Sequence, residues 1–399
     1  MIKINRDVEC CGCSACAQIC ASQAITMVRD SKGFLYPKVD SKKCSNCELC
    51  TKVCPILNEN AIRFPNHVYA LKNKNIEIRT NSSSGGIFTI LAENTIKSGG
   101  CVYGAVFNEK WQVCHSRISE IKDIVRLRGS KYVQSQIGDI YIKVKEDLLA
   151  GINVLFSGTP CQVAGLNRFL RKPYENLLTV DFVCHGVPNP RIWEEFLIEE
   201  KKKQKIDIYR SICFRDKKNG WHNYSFAVDY STILKEEKNE TTDIKKHPYM
   251  LLFIKDYILR PSCHECHFRC GKSNAVYTIG DYWDIEKFYP FFSDDLGVSL
   301  LLSYDTSLPN ILKSQTDFIE TKLEEACYGN ICIKYSWPFN PISRVFYFVH
   351  DKLGLGIEKS LMISIFATEK WKKIKHCKER IISLIHKCFE YVENRSCHI

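Results

Sequence analysis

The chain has 399 residues, of which 45% are hydrophobic and 25% charged, and this composition is typical of a globular protein with room for two or three domains. It contains neither 18 consecutive apolar residues nor a signal-peptide pattern at its start, so the prediction is a cytoplasmic protein without a membrane span. The net charge of +11 is dispersed along the sequence, which favours an acidic protein partner or peripheral contact with an anionic membrane surface over nucleic-acid binding.

The first sixty residues contain a doubled cysteine phrase. Nine of the 22 cysteines fall between residues 10 and 54, and clustering of this kind without an export signal indicates metal rather than disulfides. Each phrase has the x2-x2-x3 spacing of bacterial two-cluster ferredoxins, and Pro55 follows the second one. The eight cysteines are Cys10, Cys13, Cys16, Cys20, Cys44, Cys47, Cys50 and Cys54.

Two 4Fe-4S clusters are therefore predicted, and each takes its fourth ligand from the other phrase. Zinc is the alternative, because CxxC pairs also bind zinc, but the repetition of the whole spacing favours iron–sulfur. Cys11 is interpreted as a bystander thiol. The first cluster is assigned to Cys10, Cys13, Cys16 and Cys54. The second cluster is assigned to Cys44, Cys47, Cys50 and Cys20.

Beyond a linker around Pro65, apolar runs alternate with helical spacing, which is typical of a partly parallel α/β sheet. The predicted strands cover residues 68–71, 101–107, 153–156 and 178–183, and two further β-like runs cover 208–214 and 224–229. The predicted helices cover residues 86–97, a stretch that ends at Leu170, residues 190–203 and a basic tail over 359–392. The tail is interpreted as a packing helix, with docking to a partner or a membrane surface as the alternative.

A further set of cysteines lies at strand ends and in one CxxC pair. Cys161 and Cys184 each follow an apolar strand, where α/β proteins place their sites. Cys263 and Cys266 form the pair, and Cys270 follows it. The first four thiols would complete a third 4Fe-4S site, and Cys270 is an alternative for one of them. For each cysteine taken alone, packing in the core is the alternative.

Two loops are suited to bind a phosphate or a flavin. The run Ser82-Ser83-Ser84-Gly85-Gly86 precedes a predicted helix, whose N-terminus favours an anion, although helix capping by serine is the alternative. In Gly129-Ser130-Lys131-Tyr132, a lysine beside the flavin pyrimidine would stabilise the reduced ring, with a solvated lysine as the alternative. Gly158 and Thr159, in the turn after a strand, are also predicted cofactor contacts. The dinucleotide and P-loop glycine motifs are missing, so nicotinamide and ATP are poorly supported.

Six phrases, in one order along the chain, carry a resemblance to a known family. They are residues 82–86, 127–135, 155–162, 181–188, 214–217, and the CxxC pair at 263–266 with residues 278–283. With these residues, the chain from residue 1 to about 345 resembles the coenzyme F-420 hydrogenase/dehydrogenase beta-subunit family. It departs from the family pattern at Asp284, where glycine is expected, and at Ser273 and Val276, where a basic pair is expected.

The resemblance implies an iron–sulfur flavoprotein oxidoreductase, with FAD or FMN beside a 4Fe-4S cluster. It supports the third cluster on Cys161, Cys184, Cys263 and Cys266 and flavin contacts from the two loops. The predicted activity exchanges a hydride at the flavin and passes single electrons to a redox partner protein or a small-molecule acceptor. Lys131 is predicted to bias the flavin, and His185 to donate a hydrogen bond or a proton, with a structural role as its alternative. A non-catalytic electron-transfer subunit serving a partner enzyme is the alternative function.

These patterns together predict an α/β fold class with α+β character. A bacterial-type ferredoxin domain is predicted over residues 1–58. It is followed by the two parts of a mixed-sheet flavoprotein domain, over residues 66–150 and 151–345, the second of which carries the third iron–sulfur site. A basic helical tail is predicted over residues 350–399.

Overall fold

The computed structural model describes residues 1–305 and 307–369. The predicted tail from residue 370 onward lies outside the described residues, and the part of it over 357–369 is helical. Among the described residues, no helix is long and apolar enough to cross a membrane.

The strands of the described residues are numbered in chain order. They are β1 Ile25–Arg29, β2 Leu35–Val39, β3 His67–Asn73, β4 Cys101–Phe107, β5 Val113–Ile118, β6 Val154–Ser157, β7 Leu177–Phe182, β8 Ile206–Asp216, β9 Ser225–Thr232, β10 Glu237–Asp243, β11 Tyr277–Asp281, β12 Ser299–Ser303 and β13 Thr316–Thr321.

The α-helices are numbered in the same way. They are α1 Ala15–Gln18, α2 Leu49–Lys52, α3 Ile76–Thr80, α4 Ile87–Lys97, α5 Ile124–Leu127, α6 Ile140–Leu149, α7 Pro160–Leu170, α8 Pro190–Lys203, α9 Pro248–Ile254, α10 Pro261–His264, α11 Asn310–Gln315, α12 Leu323–Gly329 and α13 Ile342–Tyr347. Short 3-10 turns cover Asp7–Glu9, Ile121–Asp123, Ile285–Lys287 and Ile331–Ile333, and a π-helical turn covers Phe348–Lys352.

The main sheet has eight strands in the order β13-β3-β12-β11-β7-β6-β4-β5. Its four central strands, β11, β7, β6 and β4, run parallel. The strands on either side of them are antiparallel to their neighbours. Central strands such as β4 are almost continuously apolar because helices cover both faces of the sheet. The predicted mixed α/β fold, with its ferredoxin region and a helical C-terminal portion, is confirmed.

Two smaller sheets complete the fold. Strands β1 and β2 form an antiparallel hairpin within the cysteine-rich module. Strands β8, β9 and β10 form an antiparallel sheet whose outer strand, β10, is almost wholly exposed. The cysteine-rich module docks on the main body through two hydrogen bonds from Arg29 to Glu194, at 2.8 and 2.7 Å. In addition, the side-chain oxygen of Gln18 accepts the backbone N–H of Tyr141 at 2.8 Å.

The parallel strands end at one edge of the main sheet. Strand β6 ends at Ser157, β7 at Phe182 and β11 at Asp281, so the loops that follow these strands are neighbours. Helix α7 begins directly after β6, with Pro160 in its first turn and Thr159 and Gln162 in a reciprocal capping box. Ligands in open α/β sheets bind at such an edge.

Candidate metal and cofactor site

The two cysteine phrases of the N-terminal module fold alike. Ser14 and Glu48 both adopt a left-handed backbone conformation, with φ of 64° and 60°, immediately before α1 and α2. Gly12 and Asn46 do the same two residues earlier, with φ of 71° and 54°. Each phrase therefore curls twice between its cysteines, which directs three thiols of the phrase towards one point.

The thiols assigned to the first cluster are largely buried. Cys13, Cys16 and Cys54 are only 6 to 8% exposed. Burial and, more weakly, the neighbouring thiols of Cys10 and Cys50 raise the pKa of Cys54. Burial, followed by Cys10 and Cys54, likewise raises the pKa of Cys16. The structure thus brings Cys54, from the second phrase, beside Cys10 and Cys16 of the first.

The second group of thiols lies nearer the surface. Cys47 is exposed, Cys20 and Cys44 are partly exposed, and Cys50 is buried. Backbone N–H groups hydrogen bond to two of these sulfurs, at 3.3 Å for Cys20 and 3.2 Å for Cys50. Hydrogen bonds to sulfur and solvent exposure both tune the potential of an iron–sulfur cluster.

The four thiols of the predicted third site also come together. Burial and, secondarily, the neighbouring thiols of Cys263, Cys161 and Cys266 raise the pKa of Cys184. Burial raises the pKa of Cys263 to about 12, with Cys266 and Cys161 adding to the effect. Cys161 lies in the first turn of the eleven-residue helix α7, whose N-terminus favours negative charge.

Cys270 and Cys11 have positions of their own. Cys270 directs its thiol to the carbonyl oxygen of Lys334, at 3.8 Å. Cys11 is 6% exposed, and its thiol lies in hydrogen-bonding contact with both Cys13 and Cys161. This thiol, interpreted from sequence as a bystander, therefore lies between the first cysteine group and the third.

Two buried arginines flank the third group. Arg269 donates to the carbonyl oxygens of Cys184, Cys332 (2.6 Å) and His185 (3.2 Å), and its Nε is buried without a hydrogen-bond partner. Arg260 is 0% exposed and donates only to carbonyl and amide oxygens. No ion pair among the described residues includes either guanidinium. Because a buried charge is costly unless it is paired, these two cations favour an anionic group among the thiols.

The spacing of these thiols is wider than a single ion requires. Among residues 1–305 and 307–369, no three His, Cys, Asp or Glu side chains are placed to hold one metal ion. A 4Fe-4S cluster does not need such a group, because its four thiolates bind four different iron atoms around an inorganic core.

A cavity of about 450 Å³ opens at the carboxyl edge of the parallel strands. This volume lies in the range of cofactor and substrate sites. The predicted cofactor loops all contribute to its wall, together with Cys184 and His185. The wall includes Ser82, Ser83, Ser84, Gly86, Gly129, Ser130, Lys131, Tyr132, Gly158 and Thr159.

Direct hydrogen bonds join the two predicted loops. The Ser83 hydroxyl accepts the backbone N–H of Ser130 at 2.7 Å and contacts its hydroxyl at 3.0 Å. Gly86, with φ of 82°, caps the N-terminus of helix α4. A Cβ atom on Gly85 would lie 2.4 Å from the carbonyl oxygen of Leu71, so only glycine fits there. The loop thus packs closely on the sheet and presents backbone beside the cavity.

Lys131 and His185, the predicted catalytic side chains, both line the cavity. The ammonium group of Lys131 donates to three backbone carbonyls at the end of helix α5, at 3.2 to 3.4 Å. Burial lowers the pKa of Lys131 to about 8. The Nε2 atom of His185 lies 2.6 Å from a carboxylate oxygen of Asp256. Burial opposes charge on His185, but Asp256 and then Cys332 outweigh it and raise its pKa to about 9.

Several cavity residues were not predicted from the sequence. Arg215 is 5% exposed, forms a bidentate ion pair with Asp281 at 2.9 and 3.1 Å, and has a buried Nε without a partner. His115 contacts the Ser135 hydroxyl at 2.7 Å, and burial lowers its pKa to about 4. Arg215 belongs to a phrase that carried the family resemblance, so it was within reach of prediction. Nothing in the sequence around His115 singles it out.

The departures from the family pattern lie close to this region. Asp284 adopts φ of 59°, a conformation that glycine takes freely, which accounts for the glycine expected at this position. Ser273 is fully buried. An expected basic residue would therefore lie inside the protein here unless the loop were rearranged.

Comparisons with known proteins identify both regions of the chain. Residues 152–325 match the C-terminal domain of the coenzyme F420 hydrogenase/dehydrogenase beta-subunit family. Residues 9–57 match the 4Fe-4S dicluster domain. The chain is a beta-subunit family protein with an N-terminal 4Fe-4S dicluster domain. The family resemblance seen in the sequence is thereby confirmed, and iron–sulfur electron transfer is the function class that it supports.

A search of the curated proteins finds no match for this beta-subunit family protein. Among solved structures, it is similar to a chain of the F420-reducing [NiFe] hydrogenase complex from Methanosarcina barkeri. The two share 16% sequence identity with a TM-score of 0.43, and the match covers 68% of this chain and 90% of that one. Such a distant likeness carries no argument about function.

Proposed function

We propose that this chain is an iron–sulfur flavoprotein oxidoreductase, which binds a flavin in the cavity and carries three 4Fe-4S clusters. A bound flavin supplies the exchange of a hydride with a two-electron substrate and of single electrons with the clusters. The observation that carries the proposal is the position of Cys184, which belongs to the third thiol group and also lines the cavity. A cofactor in the cavity would therefore lie beside the third cluster.

The cavity wall suits a flavin of either kind, FAD or FMN. The Ser83 and Ser130 loops, joined to each other, present backbone beside the N-terminus of α4, which favours a phosphate. Lys131 places a positive charge at the wall, and Arg215 has a buried Nε without a partner. These residues would bind and orient the cofactor, while the apolar part of the wall excludes water.

The third cluster is supported by the chemistry of its surroundings. Burial keeps the four free thiols protonated at neutral pH, and binding of iron would displace their protons. The anionic cluster would then neutralise Arg260 and Arg269, for which the described residues offer no carboxylate.

The exposure of the three groups suggests the order of electron transfer. The second group lies at the surface, the first is buried behind it, and Cys11 connects the first group to Cys161 of the third. Electrons would thus enter or leave at the second cluster and reach the cavity through the first and third. His185, held by Asp256 at 2.6 Å, would orient a group in the cavity or hold a proton beside it.

The test is iron and flavin analysis of the anaerobically reconstituted chain. Three clusters give about twelve iron atoms per chain, whereas about eight would contradict the third cluster. Cys184→Ser and Cys266→Ser should each lose about four of these atoms, while Cys270→Ser, the matched control, should lose none. A preparation that releases no flavin on denaturation would contradict the flavoprotein.

A non-catalytic electron-transfer subunit is the second candidate, favoured by the exposed Cys47, which suits exchange with a partner protein. The two functions differ in what the purified chain does alone. An oxidoreductase reduces an acceptor from a chemical reductant at a rate that depends on its flavin content. A transfer subunit shows no such dependence.

A further inference from the structure

Arg260 is a fully buried cation at the contact between the cysteine-rich module and the main body. Its Nε donates to the carbonyl oxygen of Cys10 at 2.8 Å, and its terminal nitrogens donate to Leu35 (2.9 Å) and Gln134 (3.1 Å). It is the N-cap residue of helix α10, which carries Cys263. Arg260 therefore touches the loop of the first cysteine group and is covalently close to the third.

The surroundings of Arg260 contain no carboxylate ion pair among the described residues. Its guanidinium lies over the ring of Tyr36, at 4.5 Å from the centroid, and near that of Phe34, at 5.4 Å. Burial disfavours its charge, while Cys10, Tyr36, Cys11 and Cys263 favour it. Because aromatic rings and neutral acceptors only partly repay the loss of water, a stronger anion is needed nearby.

We propose that Arg260 is a counter-ion shared by the first ferredoxin cluster and the third cluster, and that it holds the reduction potentials of both upward. The proposal rests on the third cluster of the proposed function. Reduction adds one negative charge to a cluster, and a fixed positive charge nearby stabilises the reduced form. With one cation acting on both clusters, their potentials stay close, and electrons move between them in either direction.

The opposing interpretation is that Arg260 is only a mechanical tie. It packs tightly, since a Cβ atom on Gly12 would lie 2.8 Å from its terminal nitrogen. A tie and a counter-ion respond differently to substitution. The tie depends on hydrogen bonds and shape, whereas the counter-ion depends on charge.

The experiment is a redox titration followed by EPR on the full-length, anaerobically reconstituted chain. In Arg260→Met, the first and third clusters should become harder to reduce by about tenfold or more in equilibrium constant, which is about 59 mV for one electron. The second cluster should shift less, and Arg260→Lys should keep potentials near the wild type. Arg260→Gln, which retains hydrogen-bond donors without the charge, serves if the methionine variant fails to assemble. Arg29→Met, a cation at the same contact but paired with Glu194, is the control and should leave the potentials unchanged.

Three results would overturn the proposal. Equal shifts in the lysine and the uncharged variants would show that charge is irrelevant. A shift of the first cluster alone, in protein with about twelve iron atoms, would show that the cation is not shared. About eight iron atoms in the wild type would remove the third cluster, and with it the proposed function and the sharing, before any variant is titrated.

Discussion

Buried positive charges set the character of the site at the scale of single residues. Arg215 has its carboxylate partner in Asp281, whereas Arg260 and Arg269 donate to backbone and amide oxygens alone. Lys131 lies between these cases, since backbone carbonyls surround its ammonium group at the cavity wall. Each of these cations is stable in place only if the charge is balanced, and bound anionic cofactors would supply that balance.

Lys131 provides a test of the cavity that depends on pH. Burial lowers its pKa to about 8, so its positive charge is present below pH 8 and is lost above it. Flavin affinity of the wild type should therefore fall up to about tenfold between pH 7 and pH 9. Lys131→Arg stays charged and should show little change, and Lys131→Gln should bind weakly at both values. Flavin fluorescence quenching measures the affinity.

A parallel decline in the wild type and in Lys131→Arg would contradict this role for Lys131. The decline would then belong to another group of the cavity. His185 is the other titratable side chain predicted to act there, and its pKa of about 9 lies at the upper end of the same range. His185→Gln, measured beside the lysine variants, distinguishes the two residues.

The ferredoxin cysteines were predictable from sequence because their ligands follow a fixed spacing over a few residues. The same reasoning reached Cys161, Cys184 and the CxxC pair only through strand ends and the family resemblance. Arg260 and Arg269 were out of reach, because one arginine in a polar loop has no spacing to read. Their role arises only when distant segments pack together, and Cys332, beside His185, is a further example.

At the scale of elements, helix α7 joins the metal site to the sheet. Its first turn carries Cys161 directly after strand β6, and its middle packs on the cysteine-rich module. A Cβ atom on Gly165 would lie 2.9 Å from the Cβ of Cys13 and 3.0 Å from its sulfur. The glycine therefore sets how closely the helix approaches the first cysteine group.

Gly165→Ala tests this approach. The added methyl group collides with Cys13, and overpacking of this kind typically costs about 1–3 kcal/mol. We expect a lower denaturation midpoint and a perturbed EPR signal of the first cluster. Arg171→Gly, at the end of the same helix with φ of 63°, is the control and should be neutral or slightly stabilising. Normal stability and an unchanged signal in Gly165→Ala would show that the helix contributes nothing to the geometry of the cluster.

The sequence predicted the elements that form the centre of the sheet. Strand β4 and helix α8 have the predicted bounds, because a continuous apolar run and a proline at the helix start mark them clearly. Strand β10, Glu237–Asp243, was not predicted, since nearly all of its side chains are polar and exposed. It is a strand through its backbone pairing with β9. Patterning of side chains gives no signal for such an edge strand.

At the scale of the whole molecule, the cysteine groups run from the surface to the cavity. Cys47, of the second group, is exposed, and Cys184, of the third, lines the cavity wall. Five exposed lysines lie in the module that carries the exposed end, against the exposed acids Asp7, Asp40 and Glu48. These lysines are Lys3, Lys38, Lys42, Lys43 and Lys52. The dispersed positive charge of the sequence thus has a local excess where a redox partner would bind.

This excess predicts how the chain exchanges electrons with an acidic one-electron carrier protein. The rate constant should fall as salt is added, because exposed charges are screened over about 10 Å at 0.1 M. The double variant Lys42→Glu and Lys43→Glu should slow the exchange by about tenfold or more at low salt. Stopped-flow absorbance measures the rate. Lys245→Glu with Lys246→Glu, an exposed adjacent pair outside the module, is the matched control. A small neutral dye should reduce all three proteins at one rate, and an equal loss in both double variants would place the carrier elsewhere.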